Sequence, residues 1–130
     1  MNKVLLVVDD NLVSRLLPSF ILQPFVEVIQ VLECERGADA VHLLETHQVS
    51  HVLLDISMPD VDGLQIAKLI GNTFKSRGMR VIAYTADARA KDDLQLMAIG
   101  FDDVLLKPLK REDLLRVLDS LLARLPTPFN

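Results

Sequence analysis

The sequence predicts an α/β fold: a parallel sheet of five strands covered by five helices in a single domain. Three observations carry that expectation. Short apolar runs rich in Val, Ile and Leu recur along the chain, longer segments of helical period separate them, and glycines punctuate the junctions. Strands that alternate with helices build βαβ units, and strands that are almost wholly apolar are those covered on both faces.

The predicted strands are residues 4–8, 26–32, 52–54, 81–84 and 104–106. The second interleaves Glu27 and Gln30 with its apolar residues, as an edge strand does. Helices are expected over 12–23, 38–47, 64–75, 90–99 and 111–125. In the last, Leu114, Leu115, Val117, Leu118, Leu121, Leu122 and Leu125 share an arc of about 160°, enough to cover a sheet. Pro18 lacks an N–H and its ring crowds the carbonyl of Ser14, so a kink is expected in the first helix. A chain of 130 residues fits one domain, expected over 1–125, with 126–130 as a frayed C-terminal tail.

Composition narrows the function. Half the residues are hydrophobic, yet five Phe and one Tyr are the only aromatics, so the core is aliphatic. A formal charge of −4 gives no footprint for direct nucleic-acid binding, which needs clustered Lys and Arg to displace counterions. No apolar stretch approaches the roughly 20 residues that cross a bilayer, and two acids end the first apolar run, so a membrane role and a signal peptide are not expected. The single cysteine, Cys34, cannot close an intrachain disulfide. A cytoplasmic location is expected.

The chemistry lies in where the acids fall. Asp9 and Asp10 follow the first strand, and Asp55 follows the third. In an open α/β sheet, ligands bind beyond the carboxyl ends of the strands, so these acids meet there. Three neighbouring carboxylates repel one another unless a hard divalent cation sits among them, and Mg²⁺ takes such oxygen ligands. The fourth and fifth strands deliver Thr85 and the Lys107-Pro108 pair to the same rim. Phosphoryl transfer needs a nucleophile, a cation and further donors around the equatorial oxygens. Asp55 serves as nucleophile, Asp9 and Asp10 as metal ligands, and Lys107 and Thr85 as phosphoryl-oxygen partners. Each residue alone fits a turn, a cap or a strand end; their joint placement on four strands does not.

The segments VVDDN, LLDISMPDVDG, AYTAD and LLKP resemble, in order and spacing, the motifs of the two-component response-regulator receiver family, CheY-like domains, over about residues 3 to 125. The resemblance implies a doubly wound sheet of strand order 2-1-3-4-5 in a flavodoxin-like three-layer sandwich. It implies phosphorylation of Asp55 by a histidine kinase or a histidine phosphotransfer protein, and a downstream protein target or output domain. It also implies direct Mg²⁺ ligation by Asp10 and Asp55, Asp9 acting mainly through water, the backbone carbonyl of Ser57 as a further ligand, and a cis peptide between Lys107 and Pro108. Such a domain is a switch and not an enzyme, catalysing only its own phosphorylation and dephosphorylation.

Three positions depart from the family's commonest pattern. Val104 stands where a Phe or Tyr usually swings inward, Leu109 stands where an aromatic often follows Lys-Pro, and Tyr84 precedes Thr85 where an aliphatic residue is commoner. Tyr84 is expected to point away from Thr85, into the core or toward a helix. Cys34 reads as a small buried residue, and His42, His47 and His51 lack zinc spacing. Two other readings compete: a degenerate receiver kept as a docking module, and a small aspartate-dependent phosphatase. The phosphatase lacks a segment for a cap and a DxD motif after the first strand.

Overall fold

The computed structural model describes residues 3–56, Ile70 and residues 78–118. Its five strands are β1 (Lys3–Val8), β2 (Ile29–Cys34), β3 (His51–Asp55), β4 (Arg80–Thr85) and β5 (Asp103–Leu106). They form one all-parallel sheet in the order β2-β1-β3-β4-β5, as the motifs implied. The α-helices among the described residues are α1 (Leu12–Ile21), α2 (Gly37–Thr46), α3 (Leu94–Ile99) and α4 (Arg111–Leu118). These are four where five were expected. The helix expected over 64–75 lies outside the described residues except for Ile70, which is helical and buried.

Side chains alternate across a strand, and here both faces of the sheet are apolar. Leu6, Val8, Val52, Leu54, Val81 and Ala83 join Ala40 and Leu44 of α2 and Leu96 of α3 on one side. Leu5, Val7, Leu53, Ile82, Tyr84 and Leu105 join Leu22, Phe25, Leu114, Leu115, Val117 and Leu118 on the other. Two cores with the sheet between them make a three-layer sandwich. The apolar arc of the last helix is thereby explained as far as Leu118, since Leu114, Leu115, Val117 and Leu118 are its buried residues.

Local chemistry moves two boundaries. The strand expected over 26–32 begins three residues later, because Pro24 opens a 3-10 turn over Gln23–Phe25 whose Phe25 carbonyl then accepts the Val28 N–H. Glu27 therefore lies before the strand, while Gln30 and Glu33 are the exposed residues of an edge strand. The helix expected over 90–99 is two pieces, a 3-10 helix over Ala88–Asp92 and then α3. Asp93 divides them: its side chain accepts the Gln95 N–H at 2.9 Å and caps α3. Gly100, at φ 124°, ends α3 with its N–H shared between the Leu96 and Met97 carbonyls.

Helix α1 spans Pro18, and the N–H of Leu22 returns to the Pro18 carbonyl at 2.9 Å. Its N-cap is Asn11, whose side-chain oxygen accepts the Ser14 N–H at 3.0 Å. The chain thus turns sharply from β1 into α1 and leaves Asp9 and Asp10 at the rim.

Candidate functional site

All five strands run in one direction, so their carboxyl ends share one edge of the sheet. Asp9 follows β1, Asp55 ends β3, Thr85 ends β4 and Lys107 follows β5. Ligand oxygens of Asp9, Asp10 and Asp55 lie within 4.8 Å of one another. Asp9 and Asp55 are buried, at 0% and 2% relative exposure, whereas Asp10 is open to solvent. The Lys107 ammonium faces the buried pair, 3.0 Å from Asp9 Oδ2 and 3.5 Å from Asp55 Oδ2. The bond from Lys107 to Pro108 is cis, as the resemblance implied.

The two Asp9 oxygens differ in their surroundings. Oδ1 accepts the Asn11 N–H at 2.9 Å, while the fully buried Oδ2 receives no aligned hydrogen bond among the described residues and meets the Lys107 ammonium only as an ion pair. Burial pushes the Asp9 carboxyl above its ordinary value, with the Asp55 charge adding to the rise, against the Asn11 N–H and Lys107, which lower it. An under-coordinated buried oxygen beside two further carboxylates, all hard donors on one side of a cleft, suits Mg²⁺. Asp9, Asp10 and Asp55 are the described residues that could hold it. The Ser57 carbonyl and the turn at Met58-Pro59 and Asp62-Gly63 lie outside the described residues.

Thr85 is buried at the mouth of a cleft lined by Ile56, Asp87, Arg89, Ala90 and Asp93. Its hydroxyl oxygen accepts the Asp87 N–H at 3.1 Å. Asp87 in turn caps the 3-10 helix through the Arg89 N–H and is gripped by the Arg89 guanidinium at 3.0 and 2.9 Å. Val104 is half-buried against the core on the same side of the sheet. Leu109 is buried on the other side.

One residue at the site, Arg15, was not expected from the sequence, and a second, Tyr84, has a contact there that was not expected. Arg15 on α1 donates to the Asp9 carbonyl at 3.1 Å and pairs with Glu35 at 3.2 Å, tying α1 to the loops after β1 and β2. A basic residue five positions after the acid pair was its one signal. Tyr84 faces away from Thr85 and toward α1, as expected, but it also lies beneath Lys107, with the ammonium 4.8 Å from its ring centroid. The cause is register: Tyr84 is the β4 neighbour of Asp55, so the two side chains share a face.

A doubly wound sheet of this order, with acids and a lysine at its carboxyl edge, defines a receiver domain. The chain belongs to the response regulator receiver domain family, whose model matches residues 4–119. Receiver domains are signalling switches of phosphorelays. The signal transduction histidine-protein kinase BarA of Shigella flexneri is 35% identical over 107 residues, 82% of this chain but 11% of that kinase, so the chain spans a small part of its relative's length. The receiver domain of a sensor histidine kinase from Pseudomonas aeruginosa, solved with a magnesium ion coordinated in its active-site cleft, superposes with a TM-score of 0.78 at 28% identity, covering 94% of this chain and 98% of that one. The chemotaxis response regulator CheY4 of Vibrio cholerae, at 22% identity and a TM-score of 0.78 over 91% of this chain and 97% of that one, shares the fold. Among the described residues no helix is long and apolar enough to cross a membrane.

Proposed function

We propose that this chain, as a receiver domain over 1–125 with a short tail over 126–130, is a Mg²⁺-dependent switch that accepts a phosphoryl group on Asp55 from a phosphohistidine. The observation that carries this reading is the cluster itself: three carboxylates within 4.8 Å, two of them buried and facing one ammonium. A carboxylate oxygen of Asp55 forms the bond to phosphorus as the bond from phosphorus to the donor imidazole nitrogen breaks, and the imidazole leaves with the electron pair. Mg²⁺, held by Asp9, Asp10 and Asp55, supplies charge neutralisation for the equatorial oxygens. Lys107 moves its ammonium from Asp55 to a phosphoryl oxygen, and the Thr85 hydroxyl donates to another.

The donor is a histidine kinase or a histidine phosphotransfer protein, and the phosphorylated form alters contacts with a downstream protein target or output domain. The chain turns over no other substrate. It works in the cytoplasm, without direct contact to nucleic acid or membrane. Labelling tests the reading: acetyl phosphate, or a phosphohistidine protein, should label the wild type only with a divalent cation present. Asp55→Asn should lose the label, because an amide cannot serve as the nucleophile. Undiminished acid- and base-labile label in Asp55→Asn would overturn the assignment.

A further inference from the structure

Tyr84 is the only tyrosine of a chain without tryptophan, and it is buried to 1% exposure. Its ring is fixed at both ends. Below, it packs in the core cluster with Leu53, Ile82 and Leu105. At its far end the hydroxyl donates to the carbonyl of Ser14 on α1 at 3.3 Å, long for an O–H donor and therefore more a matter of orientation than of strength. That carbonyl is free for a reason written in the sequence. In a helix it would accept the N–H of residue 18, and residue 18 is proline, which has none. Pro18 thus opens an acceptor on α1, and Tyr84 fills it.

The Lys107 ammonium stands 4.8 Å from the centre of this ring, with Asp9 Oδ2 at 3.0 Å and Asp55 Oδ2 at 3.5 Å. A lysine side chain is a point charge on a flexible four-carbon stem, so two carboxylates alone leave it several rotamers from which to reach them. An aromatic face within about 6 Å attracts the cation and restricts where it can stand. The Tyr84 hydroxyl feels the acids as well: burial, then the Asp9 and Asp55 charges, push it up to about 12.

We propose that Tyr84 is a positioning residue for Lys107, its ring forming the floor on which the ammonium waits beside Asp9 and Asp55, with the Ser14 carbonyl holding the ring in place. This rests on the reading of Asp55 as phospho-acceptor, since Lys107 is the group that must reach the arriving phosphoryl oxygen. Removing the ring leaves the charge in place but poorly placed. Removing only the hydroxyl leaves the floor.

The test compares Tyr84→Leu with Tyr84→Phe in the rate of Asp55 phosphorylation by acetyl phosphate at saturating Mg²⁺. A partly desolvated cation–π contact predicts a loss of between about fivefold and about thirtyfold in Tyr84→Leu, with Tyr84→Phe within about twofold of wild type. A second measurement needs no Tyr84 variant. Because Tyr84 is the only strong near-ultraviolet fluorophore, its emission should change when Mg²⁺ and beryllofluoride draw Lys107 toward the phosphoryl mimic. The change should vanish in Lys107→Met. An unaltered rate in folded Tyr84→Leu, or an equal emission change in Lys107→Met, overturns the role of Tyr84 while leaving the Asp55 reading intact. Failure of the wild type to be phosphorylated at all would remove both.

Discussion

Magnesium should stabilise this fold, and the size of the effect can be worked from the site. Three carboxylates share a region 4.8 Å across and only one ammonium stands beside them, facing Asp9 and Asp55, so carboxylates outnumber the cation by two. Two unit charges at such a separation repel by about 3 kcal/mol at an effective dielectric constant of about 20. A cation bound only by the native state relieves that repulsion and adds RT ln(1 + [L]/Kd), about 1.4 kcal/mol at ten times Kd. For a domain of this length, each kcal/mol shifts the melting midpoint by roughly 4 °C, so a rise of about 6 °C is expected. Asp10→Asn is the informative variant, because Asp10 is exposed and its loss leaves the core untouched. If that change weakens Mg²⁺ about tenfold, the same concentration yields about 0.4 kcal/mol, a rise of about 1–2 °C. The assay is thermal melting followed by circular dichroism, with MgCl₂ matched against NaCl at equal ionic strength. A wild-type midpoint that moves no further in MgCl₂ than in NaCl, or an equal rise in Asp10→Asn, would refute the placement of the metal.

The folded chain should weaken in alkali. Burial pushes the Cys34 thiol up to about 11 from an ordinary 9.0 and the Tyr84 hydroxyl up to about 12 from 10.0. Both groups hold their protons more tightly when folded, so their contribution is full below about pH 9 and is lost between about 9 and 12, in the sense required by linkage. Tyrosinate absorbance in the native chain should rise near pH 12, and a midpoint near the ordinary value would contradict the buried ring. Gly100→Ala should lower the urea midpoint by the equivalent of about 1–3 kcal/mol, because φ of 124° strains any residue with a Cβ; no loss would mean that α3 ends differently. Mg²⁺ with beryllofluoride should alter amide exchange at Thr85 and through residues 86–89, with a coupling of roughly 1–3 kcal/mol that Thr85→Ala weakens and Val104→Ala partly retains. Changes confined to α1 and α2 would place the readout on another surface.

Four of the five strands were legible to within one residue at each end because each carries a strong local signal. Short continuous apolar runs that alternate with segments of helical period read as strands covered on both faces, and Asp9, Asp55, Thr85 and Lys107 each fall one step beyond such a run, with Asp10 next after Asp9. What was not legible depended on register and on competition between local hydrogen bonds. The break at Asp93 is a choice by one carboxylate to bond the Gln95 N–H instead of continuing the helix, a choice that helical periodicity does not encode. The late start of β2 follows from Pro24, whose turn could have been read from the sequence but was hidden inside an apolar stretch. Tyr84 beneath Lys107 required knowing that β4 pairs with β3 so that Tyr84 lies beside Asp55. Alternation alone correctly turned Tyr84 away from Thr85, without saying what lay on that other face.

That register also decides how a signal can leave the site. Val104 is the β5 neighbour of Ala83, whereas Tyr84 is one residue further along β4 and on the opposite face. The ring of Tyr84 therefore cannot swing into the place that an aromatic at 104 would fill, since the sheet lies between them. Val104 cannot swing either, having one χ1 torsion with a strongly preferred well. Movement on the Val104 side must then pass through backbone, and the structure offers one handle for it: the Thr85 oxygen that holds the Asp87 N–H at 3.1 Å. A hydroxyl drawn toward a phosphoryl oxygen shifts that acceptor, and with it the 3-10 helix that Asp87 caps. On the other face the handle is Lys107, whose departure from Asp55 changes what lies over the Tyr84 ring and hence what bears on Ser14 of α1. With Asp55 as the proposed phospho-acceptor, one chemical event would have two separate mechanical exits, and Thr85→Ala and Tyr84→Leu should each close one while leaving the other open.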